Sequence, residues 1–276
     1  MAYQNVGKPR IYLNVAEYLA VNGVIDIDPV FRTLPVNPKT YTYTELPIIE
    51  DYGINFGNNR YLALLGIDTD IVLSTAVFQT GGLVNTDFDQ KGYAIGEVNN
   101  FPTALTSGTV GSIVYGLTYT FPTSPDLNLS LSYEYDGVTE ITTKGGSTLT
   151  NANYTKPAKW GNLGCFELDG DPKLSRSGRR VWNISFSYMS DDEVFPENYA
   201  LTNENTNDIT TTTLLQEDTL QRAIHLTNGG QLPFIFQPDS TNNQVFAIAK
   251  FDTKSFKFDQ VAMNTYNVKM TIREIW

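Results

Sequence analysis

The stretch Gly178-Arg179-Arg180-Val181-Trp182-Asn183-Ile184-Ser185-Phe186-Ser187-Tyr188 decides the fold class. From Trp182 on, every second residue is large and apolar, and the residues between are Asn or Ser. A period of two marks a half-buried strand, because successive side chains point to opposite faces. Trp182, Ile184, Phe186 and Tyr188 are therefore expected on one face, in a core. Two later stretches read the same way. Gly229-Gly230-Gln231-Leu232-Pro233-Phe234-Ile235-Phe236-Gln237-Pro238-Asp239 is an apolar run bounded by turn residues. Tyr266-Asn267-Val268-Lys269-Met270-Thr271-Ile272-Arg273-Glu274-Ile275-Trp276 alternates again, with Tyr266, Val268, Met270, Ile272 and Trp276 on one face.

Working outward, Val245–Phe251 and Phe256–Met263 are expected strands of the same unit. Toward the N-terminus, Tyr61–Leu65, Ile71–Leu73 and Ala76–Phe78 are short apolar runs of the kind found in buried strands. Ile113, Tyr115, Leu117, Tyr119 and Phe121 alternate with smaller residues, and so do Leu127, Leu129, Leu131, Tyr133 and Tyr135. Asp136-Gly137 follows at once, a turn dipeptide that predicts a hairpin with Val138–Thr143. Two helices are expected. One spans 14–23, with Asn14 as cap, Glu17 at capping-box spacing and Gly23 as the stop. The other spans 214–227, with Leu220, Ala223, Ile224 and Thr227 on one face. Residues 26–58 carry Pro29, Pro35, Pro38 and Pro47 and are expected to run extended, because proline cannot supply the N–H a regular element needs.

The chain is thus expected to be all-β, as two β-sandwich or jelly-roll-like domains with one or two short helices. The boundary is placed near 165, within the Gly- and Pro-rich stretch 150–178. That gives 1–165 as an extended arm plus a jelly-roll-like sandwich, and 166–276 as a second sandwich with one helix.

Composition narrows the function. The chain has 276 residues, 19 basic and 30 acidic, for a net charge of −11. The deficit is shared, with 9 basic and 15 acidic residues in 1–165 and 10 and 15 in 166–276. Neither half offers the basic face that phosphate backbones require, so nucleic acid is not an expected partner. No apolar run reaches the length of a bilayer span, and Met1-Ala2-Tyr3-Gln4 lacks the basic and apolar regions of a signal peptide, so synthesis in a cytoplasm is expected. A single cysteine, Cys165, allows no intrachain disulfide.

No catalytic set stands out. The one histidine, His225, lies within the apolar stretch Ala223-Ile224-His225-Leu226, sixty residues from Cys165. Zinc would need several Cys or His ligands. Asn85-Thr86-Asp87-Phe88-Asp89 begins like a calcium loop, but Gly92 and Glu97 fall out of place. No Gly-rich phosphate loop is present, and Asp191-Asp192-Glu193 reads as solvated surface. The expectation is no catalytic, cofactor or metal residue, and no enzyme. The 34 aromatic residues exceed what two small β cores bury, so some are expected at subunit contacts, where Tyr and Trp are enriched. The last strand closes on Ile275-Trp276, an apolar end expected to be fixed against protein. In an acidic chain its polar face is expected to meet another copy, which makes Lys269, Arg273 and Trp276 the candidate interface residues.

Gly178–Trp182, Asp191–Pro196, Gly229–Asp239 and Tyr266–Trp276, with Ser124–Leu127, Tyr135–Gly137 and Thr143–Gly146, resemble tailed-bacteriophage virion structural proteins. The resemblance covers roughly 55–276 and is weaker over 1–54. Within that group, 166–276 is similar to tail-tube and distal-tail proteins, which fold as a β-sandwich with one helix and assemble into rings, commonly hexameric. The first part looks like jelly-roll accessory modules on the outside of tails or baseplates. The resemblance implies a non-enzymatic virion protein of the tail or baseplate, made in the bacterial host cytoplasm. Its partners would be copies of itself and other tail or baseplate proteins, with no membrane involved. Two other readings share these features: a carbohydrate-binding or receptor-adhesion module, and a head decoration or neck protein.

Overall fold

The structure is a computed structural model. It describes residues 7–26, 31–33, 39–40, 45–46, 60–68, 74–80, 93–94, 109–127, 129–134, 138–152, 179–197, 213–242, 246–253 and 255–275. The protein is mostly strand with few short helices, and its main antiparallel sheet curls into a half-barrel. The elements run β1 (Arg10–Asn14), α1 (Val15–Val21), β2 (Lys39–Thr40), β3 (Glu45–Leu46), β4 (Arg60–Asp68), β5 (Ser74–Thr80), β6 (Tyr93–Ala94) and β7 (Thr109–Thr120). They continue as β8 (Ser130–Glu134), β9 (Val138–Thr142), β10 (Thr148–Ala152), β11 (Arg179–Ser190), α2 (Asp191–Val194), α3 (Thr213–Gln216) and α4 (Leu220–Leu226). Four strands complete the chain: β12 (Phe234–Gln237), β13 (Ala247–Phe251), β14 (Phe258–Ala262) and β15 (Thr265–Glu274).

The order in the main sheet is β5-β4-β7-β1-β12-β13-β15-β11-β8, with β14 also on β15 and β2 on β7. The N-terminal strand β1 sits in the middle, between β7 and β12, so the sheet closes only after the C-terminal strands are made. The expected boundary near 165 lies outside the described residues. Strands from both sides of it are hydrogen-bonded in this one sheet, at β1–β12 and at β8–β11. They also share one core, in which Ile11, Leu117 and Phe121 pack with Trp182, Phe236 and Ile272.

The central strands are covered on both faces. Tyr115, Leu117, Tyr119 and Phe121 of β7 and its end enter the main core, while Val114 joins Tyr12, Tyr61, Ile235 and Ile248 in a second cluster on the reverse face. Gly116 is needed where β7 passes the start of α1, because a Cβ there would overlap the Leu13 carbonyl oxygen. The short helices cap the inner side. Asn14 Oδ1 accepts from the Glu17 N–H at 3.0 Å, as its spacing predicts. The Glu17 carboxylate turns to Thr33, accepting from its N–H at 2.9 Å and its hydroxyl at 2.7 Å. Gly23, at φ +72°, ends the helix, and the Val24 N–H donates to Leu19 O at 2.9 Å.

Three expectations need correction. The helix expected over 214–227 is broken into α3 and α4, because Thr219 starts a new helix by accepting from the Arg222 N–H at 3.2 Å. The hairpin expected at Asp136-Gly137 does not pair its flanking strands: β8 pairs with β11, and β9 pairs with β10 around the Gly145-Gly146 turn. The turn dipeptide itself lies outside the described residues. Tyr188 leaves the row of Trp182, Ile184 and Phe186. The β11–β15 register shifts between Phe186 and Met189, so Met189 takes the next core seat and Tyr188 turns out, 75% exposed. One extra residue inverts the side-chain alternation beyond it.

Candidate functional site: a polar cleft on the outer face of the sheet

The inner faces of β11 and β15 hold the core, so chemistry is left to their outer faces. Trp182 fixes the inner row, with its ring edge-on to Phe236 at 5.2 Å. Arg180 lies over the indole, 5.2 Å from its centre, and makes a two-pronged ion pair with Glu274, Nε to Oε2 at 3.0 Å and Nη2 to Oε1 at 2.7 Å. Its Nη2 also donates to the Phe246 carbonyl at 2.7 Å. These contacts anchor the end of β15 and hold its outer row in register.

That outer row carries Asn267, Lys269, Thr271 and Arg273. A polar ladder crosses three strands at register-matched positions: Thr271 Oγ1 donates to Asn183 Oδ1 at 2.8 Å, and Asn183 Nδ2 donates to Ser130 Oγ at 3.2 Å. β13 and β14 lie end to end along the same side of β15, leaving a gap bridged by the Asp252 N–H to the Thr271 carbonyl at 2.8 Å. At this gap a cleft of about 330 Å³ opens, and its lining includes the polar residues Asn183, Ser185, Asp252, Thr253, Lys269 and Thr271. It offers an ammonium, an amide, three hydroxyls and a carboxylate.

Of the expected interface residues, Lys269 is exposed in this cleft. Arg273 makes two ion pairs at the surface: its Nη2 reaches Asp252 at 2.9 Å and Glu134 at 3.3 Å, tying β15 to β8 and to the loop after β13. Trp276 lies outside the described residues. The sequence reading missed Tyr188, Asp252 and Thr253. One signal for Tyr188 was present: Phe186 and Met189 are both large and apolar at a spacing of three, which no regular strand accommodates on one face.

The bulge is built from named bonds. Ser185 and Ser187 both donate to Asp126 Oδ2, at 3.0 and 2.9 Å, and the Asp126 N–H donates to the Ser185 carbonyl at 2.8 Å. The Tyr188 N–H donates to Asn267 Oδ1 at 3.1 Å. Leu127, next to Asp126, is 93% exposed.

His225 Nε2 lies 2.8 Å from the Tyr18 hydroxyl, and burial lowers its pKa below the ordinary imidazole range. Burial raises the pKa of Tyr119 and Tyr61, so both stay phenols. Burial lowers that of Arg222, opposed by the Asp218 carboxylate 2.6 Å from its Nη2. Among the described residues no three His, Cys, Asp or Glu side chains gather as metal ligands. No described helix is long and apolar enough to cross a membrane. Cys165 and the stretch Asn85–Asp89 lie outside the described residues. No family model, curated protein or solved structure matches the chain.

Proposed function

We propose that this chain is a non-enzymatic structural part of a tailed-bacteriophage particle, in the tail or baseplate, that assembles with copies of itself and with neighbouring tail or baseplate proteins. The sequence resemblance supplies the class. On that reading 1–165 corresponds to the jelly-roll-like accessory part and 166–276 to the distal-tail-like sandwich, the two meeting in the shared sheet.

The observation that carries the assembly reading is the β9–β10 hairpin. It forms a sheet of its own, and Ile141 and Leu149 stand directly opposite each other, 61% and 59% exposed. A lone hairpin is marginal in water, and an apolar cross-strand pair adds stability only when covered. Beside it in the sequence, β8 ends the main sheet with Tyr133 exposed and, among the described residues, a strand on one side only. Unpaired edges of this kind are templates for another chain, and closed symmetry removes them. The mechanism is assembly: hairpin and edge strand of one copy are covered by the next.

Native mass spectrometry and negative-stain imaging of the purified chain test this, together with a search for it in particles. Closed oligomers, and the chain's presence in virions, are expected. A protein that stays monomeric at every concentration and is absent from particles overturns the reading.

A further inference from the structure

Tyr188 adopts φ +63°, the left-handed region, where the two other non-glycine residues among those described are Asn228 and Asn264. Asn tolerates this region through local bonds of its short polar side chain; a Tyr gains nothing from it. Such strain persists only where the surroundings enforce it, and it concentrates at functional positions. Here Asp126 clamps Ser185 and Ser187 on one side, and Asn267 holds the Tyr188 N–H on the other. The core needs none of this from Tyr188, since Met189 fills the inward seat completely. The bulge therefore spends backbone strain to place an aromatic ring on the outer face.

The ring's neighbours define what it faces. Asn267, which accepts from the Tyr188 N–H, and Lys269, which lines the cleft, are successive outward residues of β15, about 7 Å apart. The side chains hydrogen-bonded at the bulge are polar: Asp126, Ser185, Ser187 and Asn267. A protein interface core would need contiguous apolar surface with few charges. A single exposed ring beside an ammonium, an amide, hydroxyls and a carboxylate fits a ligand that is apolar on one face and hydroxyl-bearing around its rim. We propose that Tyr188 and the adjoining cleft form a saccharide-binding site. The ring stacks on the C–H face of a pyranose, and Lys269, Asn183 and Asp252 bond its hydroxyls. The Lys269 ammonium favours a sugar that carries a carboxylate.

Saturation-transfer NMR of the full chain tests the site, with the methyl glycosides of glucose, galactose, N-acetylglucosamine and glucuronic acid as probes. Transfer to at least one glycoside is expected, strongest to the glucuronide. Tyr188→Asn should abolish it without lowering the melting temperature, and Tyr188→Trp should retain it. Lys269→Gln should remove the preference for the glucuronide while leaving the neutral glycosides' signals. Absence of transfer to every probe overturns the proposal, and so does unchanged transfer in Tyr188→Asn. If Tyr188→Asn changes the oligomeric mass while the parent protein takes no glycoside, the ring is a contact between copies; the saccharide site then falls and the assembly reading stands.

Discussion

The β11–β15 ladder and the β9–β10 hairpin use the same antiparallel pairing and similar alternation, yet their apolar rows meet opposite fates. In the ladder, Ile184 faces Met270 and Trp182 faces Ile272, and all four are buried under the short helices and the curl of the sheet. In the hairpin, Ile141 faces Leu149 in the same way, and both are exposed. Pairing alone makes a strand; it does not make a core. What differs is the third layer, which elements distant in sequence supply to one pair and which nothing among the described residues supplies to the other.

Breaking the ladder should have the largest effect. Trp182 is 3% exposed, and truncating a buried Trp removes its transfer energy and leaves a cavity. Trp182→Ala should cost about 3–5 kcal/mol and give insoluble or unfolded protein, read from expression and urea unfolding. A soluble variant with unchanged melting and lost assembly would mean that the indole is an interface anchor.

The next effect concerns the ladder's end. Glu274 takes three bonds from Arg180, one of them from its backbone N–H, and is nearly buried. Glu274→Ala would leave the guanidinium without its counter-ion in a partly dry site, and losing hydrogen bonds between charged groups there costs about 1.5–3 kcal/mol. Urea unfolding at low and high salt measures it; a loss under half a kilocalorie would show that solvent already screens the pair.

A smaller change should go the other way. Tyr188→Asn relieves the left-handed strain and keeps the bulge, so stability should rise by about 1 kcal/mol. A fall in melting temperature would show that the ring packs on the outer face more than its exposure suggests.

The smallest effect is expected in the hairpin. Ile141→Thr alters an exposed side chain and should move the stability of dilute protein by no more than about 0.5 kcal/mol. At concentrations where copies associate, the same change should weaken the oligomer in sedimentation. Equal behaviour at both concentrations would remove the hairpin from the interface.

Much of the strand content was legible because alternation is local. The rows of β7, β11 and β15, and the cap of α1 by Asn14, follow from spacings of two to four residues. The candidate site was legible only in part. Lys269 was expected on a polar outer row and is there, in the cleft. The ion pairs of Arg273 were not legible: Glu134 and Asp252 reach it from segments 139 and 21 residues away, and no local pattern encodes that. Tyr188 was assigned to the core because a strict period of two carries it there, and the bulge that turns it out depends on Asp126, sixty-two residues earlier.

By itself, then, the sequence determined that this protein is built of strands, where most of them run, and which row of each carries the apolar side chains. These are consequences of backbone geometry acting between near neighbours. Only the tertiary structure decided which strands pair, that β1 lies between β7 and β12, that β8 joins β11 instead of β9, and which apolar rows are covered. Those choices rest on packing and hydrogen bonds between residues far apart in the chain, such as Asn183 with Ser130 at 3.2 Å and Tyr12 with Gln237 at 2.8 Å, and the energy of such contacts exists only once the sheet has formed.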